Sequence, residues 1–310
     1  MKIRKDKSGI EFSFTWLFAI IVGAVILVLA IYAATKIIGS GQSETTAAAA
    51  KEIGVLLNPL ETSFQDDVST SLSIAADTRI YNTCDDFGSF GSQGISTAQK
   101  SFGKFSEPSV EVSFPNKYIF SGEFEEGKQF YIFSKPFDFP FKVADVIYLS
   151  SANKKYCFID APDEIEEELE ELGQGNLLIG NCSASSGMTR VCFGPASGCN
   201  INVEYNAGYV RKNSTRLYFE TDALMYAAIF SDKNIYECQI KRLMMRAEEL
   251  ASIYEKKANL LSQKDCNSNL DLGIFGASLD NYNDSSDLTS LLNKANEIEG
   301  GNEASSCPLW

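Results

Sequence analysis

The sequence predicts an α+β protein with an N-terminal transmembrane helix and a disulfide-braced, antiparallel β-rich extracytoplasmic domain. Three observations favour this class. An uncharged segment of 24 residues runs from Phe12 to Thr35, alternating apolar and polar residues recur between about residues 108 and 230, and all eight cysteines follow the apolar segment. We expect a juxtamembrane helix and a long C-terminal amphipathic helix to flank the β-rich domain.

The uncharged segment is long enough to cross a membrane. At about 1.5 Å per residue its helix would extend roughly 36 Å, which exceeds a hydrocarbon core of about 30 Å. Trp16 and Tyr32 lie near its ends, where aromatic side chains favour the membrane interfaces. A buried soluble helix and a cleaved signal peptide are alternatives, but the apolar stretch exceeds the usual signal length. We therefore expect a lipid-embedded anchor over residues 12–38.

The flanking charges predict the orientation of this anchor. Four basic residues lie within the first seven positions, whereas Lys36 is the single basic residue close to the other end. Because the more basic flank remains in the cytoplasm, residues 1–11 form a cytoplasmic leader and residues 39–310 lie outside the cytoplasmic (plasma) membrane. The outer part holds 22 basic and 39 acidic residues, so nearly all the acidity of the chain is extracytoplasmic.

The composition excludes several classes of function. The chain contains no histidine, so it cannot form a Ser-His-Asp triad, a Cys-His dyad or a histidine-containing zinc site. Its net charge of −14 argues against a nucleic-acid partner. The segment from Gly122 to Gln129 resembles a phosphate-binding loop, but Gln129 replaces the required hydroxyl and three glutamates stand where phosphate would lie. We expect neither a nucleotide nor another cofactor.

The N-terminal segment resembles the class III leader of archaeal type IV pilin-like proteins. A short basic leader is followed by Ser8-Gly9 and then by residues 10–14, which run directly into the apolar helix. The resemblance implies cleavage after Gly9, a new N-terminus at Ile10, and packing of the helix into a filament core. It also implies that Glu11 neutralises the amine of a neighbouring subunit, although the family places this glutamate at the fifth mature position and here it is the second. The resemblance covers about 35 of the 310 residues.

The cysteines predict a disulfide framework, because disulfides persist outside the cytoplasm. Eight cysteines allow 105 connectivities, which sequence cannot resolve. A local pair of Cys192 with Cys199 is favoured by the turn-rich FGPASG between them, and the absence of a CxxC pair disfavours a metal site. The disulfide candidates are Cys84, Cys157, Cys182, Cys192, Cys199, Cys238, Cys266 and Cys307.

Three N-x-S/T sequons make Asn181, Asn213 and Asn283 candidates for glycosylation of an exported surface. Such a modification requires that the asparagines lie at the surface.

Residues 39–107 are interpreted as a juxtamembrane helix and loops. Ser43 to Leu57 contains four consecutive alanines and ends before Pro59, which predicts the helix. The Ser/Thr/Asp-rich stretch that follows, with its glycine-rich segment at residues 88–94, predicts loops.

Residues 108–230 form the predicted β-rich domain. Glu125 to Lys128 is predicted as a turn, and Pro136 and Pro140 predict an edge strand or a break within the alternating run that ends at Val143. The remaining strand candidates are residues 110–114, 118–124, 129–133, 146–149, 156–159, 190–193, 201–205, 209–211 and 217–219.

Two acidic segments offer oxygen ligands without a metal-binding pattern. Asp160 to Glu171 is predicted as a short helix, because Ile165, Leu169 and Leu172 form one apolar stripe; Asp163 with Glu166 resembles a capping box, and Gly173 a stop. Residues 280–285 form an Asn/Asp-rich loop that lacks the glycine and terminal glutamate of an EF-hand. Calcium binding is the alternative, but a solvated helix face and a surface turn are favoured.

Residues 231–310 are predicted to form helices that pack on the β-rich domain. Apolar residues recur at a 4-3-4-3 spacing from Ile240 to Leu261, which predicts one long amphipathic helix. A shorter helix is predicted from Leu288 to Ile298. A coiled-coil partner surface is the alternative for the longer helix.

The function most consistent with these features is a single-pass, membrane-anchored surface protein whose ectodomain serves binding, adhesion or structure and is not an enzyme. Its partners would be other surface proteins or further copies of itself. A pilin-like filament subunit processed after Gly9 is the alternative. An exported hydrolase would instead need two carboxylates about 5–10 Å apart in one cleft.

Overall fold

A computed structural model describes residues 16–33, 68–180, 182, 187–194 and 198–310 of the 310-residue chain. The chain divides into two units, residues 1–45 and residues 46–310. The processing candidates Gly9, Ile10 and Glu11, the predicted juxtamembrane helix and Asn181 lie outside the described residues.

The first unit contains helix α1 (Trp16–Ala33). Its 18 residues are apolar enough and the helix is long enough to cross a membrane. Every residue of α1 is exposed, including its large aliphatic side chains.

In the second unit a first sheet has the strand order β3-β2-β1-β6-β7-β5, with β4 paired to the other end of β2. Its neighbours are antiparallel, except that β5 runs parallel to β7. The strands are β1 (Val68–Asp85), β2 (Ser92–Ser101), β3 (Lys104–Phe105), β4 (Val112–Phe114), β5 (Ile119–Phe120), β6 (Phe124–Asp138) and β7 (Lys142–Ser151).

A second sheet has the order β13-β12-β11-β10-β8-β9 and is mixed. The antiparallel prediction is wrong for strands β11, β10, β8 and β9, which run parallel to one another. Parallel strands need a crossover connection, which helix α2 (Asp163–Glu171) supplies between β8 and β9. The strands are β8 (Tyr156–Ile159), β9 (Leu177–Ile179), β10 (Thr189–Phe193), β11 (Ile201–Glu204), β12 (Tyr209–Lys212) and β13 (Thr215–Tyr218).

The chain ends in helices α3 (Asp222–Phe230), α4 (Lys233–Ser262), α5 (Leu272–Asp280) and α6 (Leu288–Ala304). Two short 3-10 turns, Tyr205–Ala207 and Ser285–Asp287, connect other elements. The apolar stripe of α4 packs against β1, β5 and β7 of the first sheet, and α5 packs on α4. The long helix therefore packs on its own domain, as its spacing predicted.

Further regions differ from the sequence predictions, among them residues 222–230, which form helix α3 within the predicted β-rich domain. Residues 68–101 hold β1 and β2 instead of loops: the first half of β1 exposes Ser and Thr side chains, β2 buries Ser96 and Thr97, and pairing of β1 with both β2 and β6 supplies backbone hydrogen bonds. The predicted turn at residues 125–128 instead lies within β6. There Glu126 makes an ion pair of 2.8 Å with Arg79, its partner on β1.

The first sheet buries a different cluster on each face, because successive side chains of a strand point in opposite directions. On one face Phe133 stacks on Tyr148 with ring centroids 4.3 Å apart, and Tyr226 and Phe230 of α3 pack edge-on against Phe133. The other face holds a mainly aliphatic cluster made of Ile80, Ile95, Ile119, Phe130, Ile132, Ile147 and Leu149. The aromatic cluster ties the two sheets and the helices together.

The acidic helix α2 presents a stripe of apolar residues to this core, as predicted, with Ile165 and Leu169 buried. Pro162 occupies the N-cap without a side-chain hydrogen bond, so the predicted capping box is wrong. Gly173 follows the helix with a φ of +61°, which glycine adopts without strain. Glu168 pairs with Lys135 and accepts a hydrogen bond of 3.2 Å from the Tyr226 hydroxyl.

All eight cysteines are paired, with Cα–Cα distances from 5.7 to 6.2 Å. One bridge joins β1 to α4, and another ties the C-terminal segment to the chain just beyond α4. The pairs are Cys84–Cys238, Cys157–Cys182, Cys192–Cys199 and Cys266–Cys307. The short-range pair is the one that the turn-rich sequence favours.

Candidate functional site

A cleft opens where the two sheets meet the junction between α3 and α4. It consists of two cavities, of about 450 and 290 Å³, which share Lys154 and Asp232. The larger cavity is lined by the start of β6 and by the turn between β7 and β8; the smaller by ends of strands of the second sheet and the last residues of α3.

A buried asparagine fixes the turn that carries Lys154. Asn176 is fully buried and its side-chain amide donates to the Ser150 hydroxyl at 2.9 Å and to the Lys154 carbonyl at 3.4 Å. The backbone carbonyl of Asn176 accepts from the backbone N–H of Tyr156 at 2.8 Å. These bonds hold the lysine and the tyrosine at one wall of the cleft.

Asp232 reaches the cleft because the chain leaves helical geometry between α3 and α4. Ser231 and Asp232 are extended, with ψ values of 156° and 157°. The Asp232 carboxylate accepts from the backbone N–H of Glu123 at 2.8 Å, and the Asp232 N–H donates to the Ser121 carbonyl at 3.4 Å. Both bonds fix the carboxylate against the residues that precede β6.

Lys154 is a paired cation. Its Nζ lies 3.0 Å from Oε1 of Glu125, a carboxylate that is only 2% exposed and also accepts from the Ser151 N–H at 3.0 Å. Burial alone would lower the pKa of Lys154, but the nearby Tyr156 and Glu125 raise it above its ordinary value. Burial, partly opposed by the charge of Lys154, raises the pKa of Tyr156 to about 12.

Lys212 lies at the end of β12, and its electrostatic surroundings differ from those of Lys154. Its Nζ donates to the Ser231 carbonyl at 2.5 Å, and the ion pairs within the described ranges do not include it. Burial, and then repulsion by Lys154, lowers its pKa to about 7, while Asp232 partly offsets this effect. This amine is therefore a much weaker base than an ordinary lysine.

Gly122 separates two carboxylates at the floor of the larger cavity. A Cβ atom at this position would lie 3.4 Å from Oδ2 of Asp232 and 3.5 Å from Oε1 of Glu125. The two oxygens therefore lie within about 7 Å of each other, a spacing compatible with carboxylate pairs that cleave glycosides.

The cleft thus offers one paired ammonium, one amine of low basicity and two carboxylates to a small polar ligand. Within the described residues, His, Cys, Asp and Glu side chains form no group of three or more that could hold a metal ion.

The predicted site residues occupy separate places. Asn213 is exposed in the β12–β13 turn and borders the smaller cavity, whereas Asn283 is exposed in the loop between α5 and α6. The phosphate-loop-like segment lines the larger cavity, but from Phe124 onward it is strand β6 and contributes carboxylates.

Sequence reasoning missed Lys154, Lys212 and Asp232 as a group. They come from a β-turn, a strand end and a break between helices, so no local spacing joins them. A lysine beside apolar strand residues gives no signal of its own in the sequence.

Comparisons with protein-family models, with curated proteins and with solved structures found no match to this chain.

Proposed function

We propose that this chain is a single-pass, membrane-anchored surface protein whose ectodomain binds other molecules without catalysis. Helix α1 carries the proposal, since its 18 residues are apolar, long enough to span a bilayer, and exposed throughout. The pairing of all eight cysteines outside α1 supports an oxidising compartment for the rest of the chain. Adjacent lipid, other surface proteins and further copies of the chain are the proposed partners.

A cysteine-accessibility experiment tests the topology with two matched positions that flank α1. Ser8→Cys and Ser40→Cys are expressed separately, and intact cells are treated with a membrane-impermeant maleimide. We expect Ser40→Cys to react in intact cells and Ser8→Cys to react only after permeabilisation, because the basic flank stays inside. The wild-type protein is the control for reaction at the native cysteines. The reverse pattern contradicts the proposal.

The filament alternative makes a different prediction about the N-terminus. Its residues, Gly9 to Glu11, lie outside the described structure, so it depends on the sequence resemblance. Intact mass spectrometry of the purified protein separates the two proposals: a mature chain that starts at Ile10 supports a filament subunit, whereas a retained leader contradicts it.

The hydrolase is kept as a second candidate because Glu125 and Asp232 meet in one cleft within about 7 Å. Release of reducing sugar from a panel of polysaccharides is compared for wild type and Asp232→Asn. Hydrolysis that Asp232→Asn lowers by about 100-fold supports an enzyme. Equal background release from both proteins supports the non-catalytic proposal.

A further inference from the structure

We propose that Lys212 captures small polar aldehydes in the cleft by forming an imine with its side-chain amine. This inference goes beyond the anchored binding role, and its test does not use the membrane topology, so either can fail without the other.

The position of the amine carries the proposal. Lys212 borders the 290 Å³ cavity, and Ile229 and Phe230 supply an apolar wall to the same space. The Ser231 carbonyl, 2.5 Å from Nζ, orients the amine at this wall. The Ser231 hydroxyl is buried and has no hydrogen-bond partner within the described part of the chain. An ammonium at this position is poorly solvated, which favours its uncharged form.

Three ionisable groups face this amine. Lys154 and Tyr156 approach from the β7–β8 side, and Asp232 approaches from the break between α3 and α4. Lys154 already pairs with Glu125, so its positive charge is fixed beside Lys212 and opposes a second one. The negative charge of Asp232 favours a protonated Lys212, and the Asp232 carboxylate accepts a hydrogen bond from the Glu123 N–H.

The pKa of Lys212, about 7, agrees with this geometry. An ordinary lysine has a pKa of about 10.4 and is almost wholly protonated at neutral pH. A lysine that is desolvated and lies beside another cation is an activated nucleophile for carbonyl carbons.

The cavity lining selects the class of carbonyl compound. Thr189, Asn200 and Asn213 border the same space and offer hydroxyl and amide groups to a ligand. A volume of about 290 Å³ admits a small molecule. Hydroxyaldehydes, including the open-chain forms of small reducing sugars, match both properties, since their hydroxyl groups can bond to these side chains.

The covalent step conserves atoms and electrons. The lone pair of Nζ attacks the carbonyl carbon, and the π electrons move to the oxygen, which takes a proton to give a carbinolamine. The oxygen then leaves as water with the hydrogens that the amine loses, and a C=N double bond replaces the C=O bond. No oxidant or reductant is needed, and water reverses the reaction.

Reductive trapping tests the proposal on the full-length protein in detergent. Glycolaldehyde and cyanoborohydride are added at pH 7, and the modified lysines are located by peptide mass mapping. We expect Lys212 to be modified about tenfold faster than Lys233, an exposed lysine at the start of α4. Ethylene glycol in place of glycolaldehyde should give no modification. Equal rates at the two lysines would overturn the proposal.

The pH dependence of labelling distinguishes this cleft from simple exposure. Lys154→Met removes the repelling charge and should move the midpoint for Lys212 labelling to higher pH, whereas Asp232→Asn should move it to lower pH. Lys155→Met, which changes an exposed neighbour, should leave the midpoint unchanged. Near-UV circular dichroism establishes that each variant is folded. Identical midpoints in the folded variants would also overturn the proposal.

Discussion

Arg242 and Lys212 are two basic side chains whose pKa burial lowers, but their surroundings differ: Arg242 is fully buried, whereas Lys212 is half-buried. The Arg242 guanidinium donates to five acceptors, among them the carbonyls of Lys117 at 2.8 Å and Pro115 at 2.9 Å, and it lies 4.7 Å from the centre of the Tyr118 ring. Lys212 donates to one carbonyl, that of Ser231. Neither cation is among the ion pairs within the described residues. Burial lowers the pKa of both groups, but the guanidinium keeps its proton because its ordinary pKa is far higher than that of lysine, whereas burial brings the pKa of Lys212 to about 7.

The surroundings of Arg242 form a structural network. Arg242 bonds to Gln239 on the same helix; Gln239 donates to Gln93 of β2, and Gln93 donates to Asn82 of β1. The Cys84–Cys238 bridge crosses from β1 to α4 at the same place. This region anchors the long helix to the first sheet, whereas the cleft around Lys212 leaves polar groups open to a ligand.

The largest effect is expected from the disulfides, because the two regions should differ in how much their disulfide stabilises the protein. Replacing Cys84 and Cys238 together by serine removes a link across 154 residues and should lower the free energy of unfolding by about 5 kcal/mol. The matched change of Cys192 and Cys199, a link across seven residues in the second sheet, should cost about 2.5 kcal/mol. Urea unfolding under non-reducing conditions measures both. A larger loss for the short link would contradict the assigned roles.

Loss of the buried Arg242 guanidinium should have the next largest effect on the free energy of unfolding. Arg242→Met leaves carbonyl groups buried without donors and should destabilise the protein by about 3–5 kcal/mol. Arg246→Met is the matched control, one turn along α4, where Nε donates to the Val143 carbonyl at 2.7 Å. We expect the control to cost about 1 kcal/mol in thermal unfolding. Equal losses of stability for the two variants would contradict a special role for the five acceptors around the Arg242 guanidinium.

Alanine substitution of one glycine in each region compares how tightly the two regions are packed. A Cβ at Gly91 would lie 2.2 Å from the Asp85 carbonyl and 3.0 Å from Cγ of Arg242, at a φ of +55°. Gly91→Ala should therefore cost about 2–4 kcal/mol. Gly122→Ala faces contacts of 3.4 Å or more in the cleft and should change stability by less than about 1 kcal/mol. Denaturant midpoints that agree for both variants would contradict this difference.

Replacing Lys212 by methionine should have the smallest effect on stability, and this effect should depend on pH. Its folded pKa of about 7 lies below the unfolded value of about 10.4, so between these values the unfolded state binds more protons. Raising the pH from 7 to 10 should thus stabilise wild type by about 1–3 kcal/mol relative to Lys212→Met, with no such change below pH 7. Urea titrations at several pH values measure the difference. A difference that is constant with pH would show that Lys212 keeps an ordinary pKa.

Strong periodicity made parts of this fold predictable. Strand β11 and the amphipathic α4 follow from local patterns, because alternate residues of β11 are buried and one stripe of α4 is buried. Helix α3 was missed since it is apolar on all sides: its buried residues surround the axis and leave no period. Strand β1 was missed for a different reason: its first half is rich in serine and threonine residues that are exposed.

The candidate site was less predictable than the fold. Glu125 was placed in a turn because residues 125–128 separate two strand candidates, but Glu125 lies within β6 and pairs with Lys154 inside the protein. The low basicity of Lys212 depends on α3, β8 and β12 together, and the sequence contains no motif that joins them.

The sequence by itself determined an apolar N-terminal helix, an acidic and cysteine-containing remainder, and the absence of histidine chemistry. These properties follow from composition and local spacing, which act without tertiary contacts. Only the tertiary structure decided that the second sheet is mixed, that Arg242 is enclosed by acceptors, and that Lys212 faces a cleft beside Lys154 and Asp232. Desolvation and charge interactions depend on distances in space, and folding brings together residues that the sequence keeps far apart.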